Sequence, residues 1–191
     1  MTATVADSPS SGLVFAGRLP LAWQIVAHLP DAIELQALER ANLANLRTLF
    51  ALEIHAGDSG DDPLALANTN ELKRLDFKVG LLLELVSQLY ALQQPMPPER
   101  ALTLTTTGLS WREVTPLAIG CVLRLELYCN LHYPRPLVLH AHVTEPAPSA
   151  SDGEIRTQFQ QPSELLQEAL ERYIFLQHRR AVAHSRRNDS R

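Results

Sequence analysis

The chain has 191 residues, 46% of them hydrophobic and 20% charged, with 13 prolines, a balance that builds one or two packed domains and not a disordered or fibrous chain. Its 21 acidic residues outnumber 17 basic ones, and the resulting net charge of -4 excludes the chain-wide positive field of a general nucleic-acid binder. No charged, then apolar, leader stands at the start, and nothing approaches the roughly 18 uninterrupted apolar residues of a membrane span, so a cytoplasmic protein without membrane insertion is expected.

Residues 1–11 are small and polar and read as a flexible tail. In 12–30, Val14, Phe15, Leu19, Leu21, Trp23, Ile25 and Val26 partly alternate around Gly17 and Pro20, which predicts a hairpin or bent strand packing on a barrel formed by the second half of the chain. Asp31, with Glu34 three residues on, then makes a capping box for a helix running to about Ala56. After a turn at 57–62, Asp62 and Pro63 supply the cap and first position of a second helix, which runs to about Gln94 and would be roughly 45 Å long. Residues 31–95 are thus expected to form a two-helix oligomerisation module.

Pro95, Pro97 and Pro98 end that helix and the hydrophobic period becomes two. Residues 101–106, 109–114, 120–131, 137–143 and 154–159 read as five short strands, separated by turns at Thr107-Gly108, Pro116, Pro134 to Pro136 and Pro146 to Gly153, which suggests a small antiparallel barrel. Pro162-Ser163-Glu164 opens a last helix whose stripe, Leu166, Leu170, Tyr173, Ile174 and Gln177, is spaced to cover a barrel mouth or face. Residues 96–181 form this barrel unit, and 182–191 a basic tail; from Arg179 onward five arginines face a single aspartate.

The second helix carries the most regular pattern. Leu72, Leu75, Val79, Leu82, Val86 and Leu89 alternate three and four apart, a heptad seam, and Leu83 and Leu85 widen its apolar face beyond what one partner helix covers. A homo-oligomer larger than a dimer, a tetramer, is expected. The first helix repeats the spacing with Leu35, Leu38, Asn42, Asn45, Leu49 and Leu52, and an asparagine in a seam selects the register in which its amide is paired. Asn42 and Asn45 are therefore expected to set the arrangement of the assembly.

Three blocks in the second half, Thr103-Leu104-Thr105-Thr106-Thr107-Gly108-Leu109-Ser110-Trp111, Pro116-Leu117-Ala118-Ile119-Gly120-Cys121-Val122-Leu123-Arg124-Leu125-Glu126-Leu127 and Arg172-Tyr173-Ile174-Phe175-Leu176-Gln177, together resemble the PilZ domain over roughly 98–180. The resemblance implies an α+β fold with a mostly β core, a six-stranded antiparallel barrel with a C-terminal helix, here joined to two long heptad-patterned helices. It also implies a bacterial setting in which such domains commonly bind cyclic di-GMP. The family's ligand residues are an Arg-x-x-x-Arg pair before the barrel and an Asp/Asn-x-Ser-x-x-Gly loop. Here only Arg100 is present, with Met96 and Leu104 four residues to either side; Thr105 replaces the serine, Gly108 matches, and Thr103 stands where the carboxylate or amide belongs. An absent carboxylate accepts nothing from a guanine, so Arg100, Thr105 and Gly108 are a degenerate ligand motif and cyclic di-GMP binding is expected to be absent or weak.

Cys121 and Cys129 lie eight residues apart in what reads as one strand, too far for a disulfide at ~3.3 Å per residue, and read as buried thiols. His140 and His142 share a strand face without a third ligand at metal spacing, since Glu145 falls on the other face, and are expected to be solvent-facing. Neither a nucleophile elbow, a His-Glu-x-x-His pair nor a phosphate-binding loop is present. The combined expectation is a non-enzymatic regulatory or scaffold protein without cofactor in bacterial signalling of motility, type IV pili or virulence, acting on an unidentified signalling partner; the alternative is a cyclic di-GMP receptor with a non-standard site.

Overall fold

Alternation of apolar residues makes half-buried strands, and closing the sheet on itself buries all the inward positions at once. The computed structural model describes residues 13–54, 74–75, 77–82, 85–86, 89, 96–131, 133–144 and 153–188. The expected N-terminal tail, the turn at 57–62, the capped start of the second helix, Leu72, Leu83 and the last residues of the basic tail lie outside the described residues. Six strands, β1 (Phe15–Ile25), β2 (Glu99–Leu104), β3 (Gly108–Arg112), β4 (Val122–Leu127), β5 (Leu137–Thr144) and β6 (Glu154–Phe159), form a closed barrel in the order β1-β2-β3-β6-β5-β4, every pairing antiparallel.

The predicted bent strand proves to be the one that closes the barrel. Residues 15–20 of β1 pair with β2, and residues 21–25 pair with β4. Pro20 stands at the change of partner, where its missing N–H and fixed φ cost least. Its carbonyl accepts from Tyr128 N at 3.1 Å. Closure leaves no free sheet edge along most of the barrel. Leu104, Leu123, Leu125, Leu137 and Trp111 fill the interior, and the buried Thr157 is tolerated there because its hydroxyl donates to Leu109 O at 2.8 Å.

Two helices, α1 (Ala32–Ile54) and α2 (Glu164–Asn188), cover the barrel. Asp31 caps α1 as its sequence position predicts, accepting from Glu34 N at 2.8 Å, and Ser163 caps α2, accepting from Leu166 N at 3.2 Å. The expected stripe of α2 is buried at Leu166, Leu170, Tyr173 and Ile174. Beyond Arg180, where a tail was expected, the helix continues to Asn188, alanine and arginine being good helix formers.

The seam expected on the first helix is corrected by its contacts. Asn42, Asn45, Leu46, Leu49 and Phe50 are buried within the single chain, with Leu35, Leu38 and Leu52 half-buried. Asn42 Nδ2 donates to Val138 O at 2.8 Å while Val138 N donates to Asn42 Oδ1 at 2.9 Å, and Asn45 Nδ2 donates to Arg135 O at 2.8 Å. The pairing of β5 with β6 begins only at Ala141, so the outer side of β5 before that point has no strand partner. The asparagines fill that place from within the same chain.

Candidate functional site

The ligand motif of the sequence falls on the β2–β3 hairpin and is spent there on backbone structure. Thr105 Oγ1 accepts from Gly108 N at 2.9 Å and Thr107 N at 3.3 Å, and its hydroxyl lies 3.1 Å from Gly108 O as donor. This is a side-chain closure of the turn. Gly108 is needed for a different reason, because a Cβ there would stand 2.3 Å from Thr157 O on the neighbouring β6. Its role is close approach of two strands.

Arg100 lies on the opposite face of β2 from Thr103. Residues 100, 102 and 104 alternate inward and 99, 101 and 103 outward, so the Arg100 side chain turns toward one end of the barrel interior. There Arg100 Nη1 donates to Glu113 Oε2 at 2.7 Å, the same oxygen that accepts from Trp23 Nε1 at 3.2 Å. Arg100 Nε is buried with no partner among the described residues. Trp23 and Trp111 pack beside this group with ring centroids 6.3 Å apart. The structure therefore does not gather Arg100, Thr105 and Gly108 into one site.

What lies on the outer face instead is a groove of about 420 Å³ across β1, β2 and β3. Register aligns Ala16 with Thr103 and Thr103 with Ser110, giving a floor of small side chains and hydroxyls, with Arg18, Arg112 and Glu154 on its walls. Arg18 leans on Glu99, donating to its carbonyl at 3.1 Å. Of these residues only Thr103 and Ser110 stood in a block that the sequence singled out. Their signal was the polar half of each strand's alternation, which becomes a surface only once the register is known.

A second concavity, about 680 Å³, opens between the first turns of α1 and the outer face of β4 and β5. Val26, Leu29 and Leu38 line it together with His28, Glu34, Arg124 and His140. His140 was expected in solvent and is 7% exposed, because α1 and the segment leading into it lie over β5. Burial, and secondarily the Arg124 charge, hold its imidazole pKa below the ordinary 6.5, partly offset by Glu34. Arg124 is itself paired with Glu126. Cys121 and Cys129 are free thiols, and burial pushes the Cys129 thiol up to about 12 despite its hydrogen bond with Tyr173.

The described residues of the second helix, 74–75, 77–82, 85–86 and 89, are helical. Leu75, Phe77, Val79, Leu81, Leu82, Leu85, Val86 and Leu89 are each at least 47% exposed. So many large exposed apolar side chains on one helix are rare on a monomer. Among the described residues there is no group of His, Cys, Asp and Glu arranged to hold a metal, and no described helix is long and apolar enough to cross a membrane.

Comparison with known proteins gives likenesses to a family model and to solved structures. The family model for the atypical PilZ domain, cyclic di-GMP receptor, matches residues 46–187. Among solved structures, a pathogenic protein from Xanthomonas campestris, a tetrameric PilZ domain self-assembled through a helical bundle, is 25% identical in sequence, with a TM-score of 0.69 over 91% of this chain and 92% of that one. No curated protein sequence matches.

Proposed function

The chain belongs to the atypical PilZ domain family, and from that premise we propose that it is a non-enzymatic regulatory or scaffold protein of bacterial signalling that works as a tetramer and binds cyclic di-GMP weakly or not at all. The observation that carries this reading is the exposure of Leu75, Phe77, Val79, Leu81, Leu82, Leu85, Val86 and Leu89, which the described residues of one chain leave uncovered. Assembly of the Xanthomonas campestris relative through a helical bundle supports the same use of this surface. Weak ligand binding follows from the state of the motif: Arg100 is engaged by Glu113 inside the barrel end, and the Thr105 hydroxyl is engaged by its own turn. The setting in motility, type IV pili or virulence, with a protein as the downstream partner, is what the family resemblance implies, and a cytoplasmic location is part of the same proposal.

Light scattering of the intact chain tests the assembly: a mass of four chains is expected, and a monomer at micromolar concentration overturns it. Leu82→Asp should dissociate the assembly, since it places an unpaired carboxylate in the apolar seam.

A second reading, a cyclic di-GMP receptor with a non-standard site, is favoured by the outer groove, where Arg18 and Arg112 flank the Thr103 and Ser110 hydroxyls at the height of the family motif. Calorimetric titration separates the two. Binding that is lost in Arg18→Ala and Arg112→Ala, and kept in Arg100→Ala, selects the receptor.

A further inference from the structure

The concavity under the first turns of α1 holds polar groups that the chain itself does not use. His140 lines its floor and is 7% exposed, yet its ring makes no hydrogen bond with any described residue. A polar side chain buried in this way is costly unless a partner reaches it. Strand register sets Arg124 directly across from His140 on the outer face of the barrel, with Cβ atoms about 5 Å apart. Among the described residues the Arg124 guanidinium is engaged only through Nη1, by Glu126. The roof of the space is preformed. Asn42 and Asn45 bond α1 to the backbone of Val138 and Arg135 two turns further on, which holds the start of the helix at a fixed height over β4 and β5. At about 680 Å³, with apolar walls and a few converging polar groups, the space has the character of a small-molecule site.

We infer that this concavity binds a small carboxylic acid, whose carboxylate accepts from the unused guanidinium edge of Arg124 and from an imidazole N–H of His140, and whose hydrocarbon body lies along Val26, Leu29, Pro30 and Leu38. Arginine only donates, and neutral histidine donates through one nitrogen, so the head group that fits both is an acceptor; a carboxylate matches the planar guanidinium edge. Glu34 opposes an anion, but it stands at the exposed rim, where water screens it. A carboxylate beside His140 offsets both the burial and the Arg124 charge that hold its imidazole pKa down, so binding moves that pKa upward. The site is distinct from the groove across β1, β2 and β3, and it needs neither cyclic di-GMP nor the tetramer.

The test is titration of the intact chain with octanoate, with octanol and acetate as controls, followed by calorimetry and by the imidazole resonances of His140, assigned by their loss in His140→Gln. Octanoate is expected to bind, to shift those resonances and to raise the His140 pKa, while octanol and acetate bind at least about tenfold more weakly. Ala37→Phe sets a ring into the concavity from an exposed helix position and should abolish binding without lowering the melting temperature. Arg124→Gln should weaken binding by about tenfold or more, and Glu34→Gln should strengthen it severalfold by removing the opposing charge. Octanol binding as tightly as octanoate overturns the carboxylate head. Octanoate binding that survives Ala37→Phe, or that leaves His140 unmoved, overturns the site, and no octanoate binding at millimolar concentration overturns the inference as a whole.

Discussion

Asn42 and Val138 exchange two hydrogen bonds, side-chain amide to backbone, at 2.8 and 2.9 Å. A helix side chain thereby takes the place of a missing strand along β5. The consequence is that α1 is part of the barrel's own structure and its position is fixed by geometry that only an amide reproduces. Asn42→Leu leaves the Val138 N–H and C=O buried and unpaired, at about 1 to 3 kcal/mol for each group left unsatisfied. The melting temperature should fall by roughly 5 to 10 °C, with the oligomeric mass unchanged. Calorimetry and light scattering on one sample read both. A rise in melting temperature with mixed masses would return Asn42 to an interface between copies.

Gly108 is predicted to matter for folding whatever the ligand. In Gly108→Ala the new methyl meets Thr157 O at 2.3 Å, and the obstacle is backbone, so β3 and β6 must separate. A loss of about 1 to 3 kcal/mol is expected as a lower urea midpoint. Thr105→Val should cost about 1 kcal/mol through the lost turn bonds, and Thr105→Ser little. A Gly108→Ala protein as stable as the wild type would show that the strands have room to spare.

His140 makes stability depend on pH in a stated direction. Its folded pKa lies below the ordinary 6.5, so the unfolded chain binds the proton more readily. Stability from this group is therefore full above about pH 6.5 and is lost as pH falls through that value toward the depressed folded one. The groups facing it are Glu34 and His28 from the α1 side and Arg124 from β4, and Arg124 opposes a second positive charge. His140→Gln should flatten the part of the stability profile between pH 7 and 5 relative to the wild type, by up to about a factor of ten in the folding constant per pH unit. Parallel profiles for the two proteins would mean that the imidazole titrates in place at no cost.

The barrel strands were legible because each alternates and stretches with proline or glycine divide them; β6 runs from Glu154 to Phe159, matching its pattern residue for residue, while β4, read as 120–131, covers only Val122–Leu127. The closing role of β1 was not, since Pro20 disguises a continuous strand and its partner β2 begins about seventy residues later. The stripe of α1 misled for a physical reason: a three-four spacing places residues on one helix face and says nothing about whether the partner is another helix or the same chain's sheet. His140 was misplaced likewise, because strand parity sets which side of the sheet a side chain takes but not whether a helix covers that side. The candidate site was legible as residue types and not as geometry. Arg100 and Thr103 lie three apart on β2 and therefore on opposite faces, a relation that fixes their separation as soon as the strand itself is known.

That relation carries the last prediction. A double-arginine clamp and a carboxylate give cyclic di-GMP several charge-assisted hydrogen bonds, each worth about 1.5 to 3 kcal/mol. This chain has one of the two arginines, and its guanidinium is half-buried and bonded to Glu113 at 2.7 Å. Using it on a ligand would require breaking that pair and leaving the Glu113 carboxylate, which also holds Trp23, without its cation. With Thr103 in place of the carboxylate, two or three such bonds are missing, so affinity should fall on the order of thousands-fold below that of a complete motif. Calorimetry should detect no binding in the micromolar range, and Arg100→Ala should not change that result while lowering stability through the unpaired Glu113. Micromolar binding that disappears in Arg100→Ala would mean that the barrel end opens and Arg100 leaves Glu113 for the ligand.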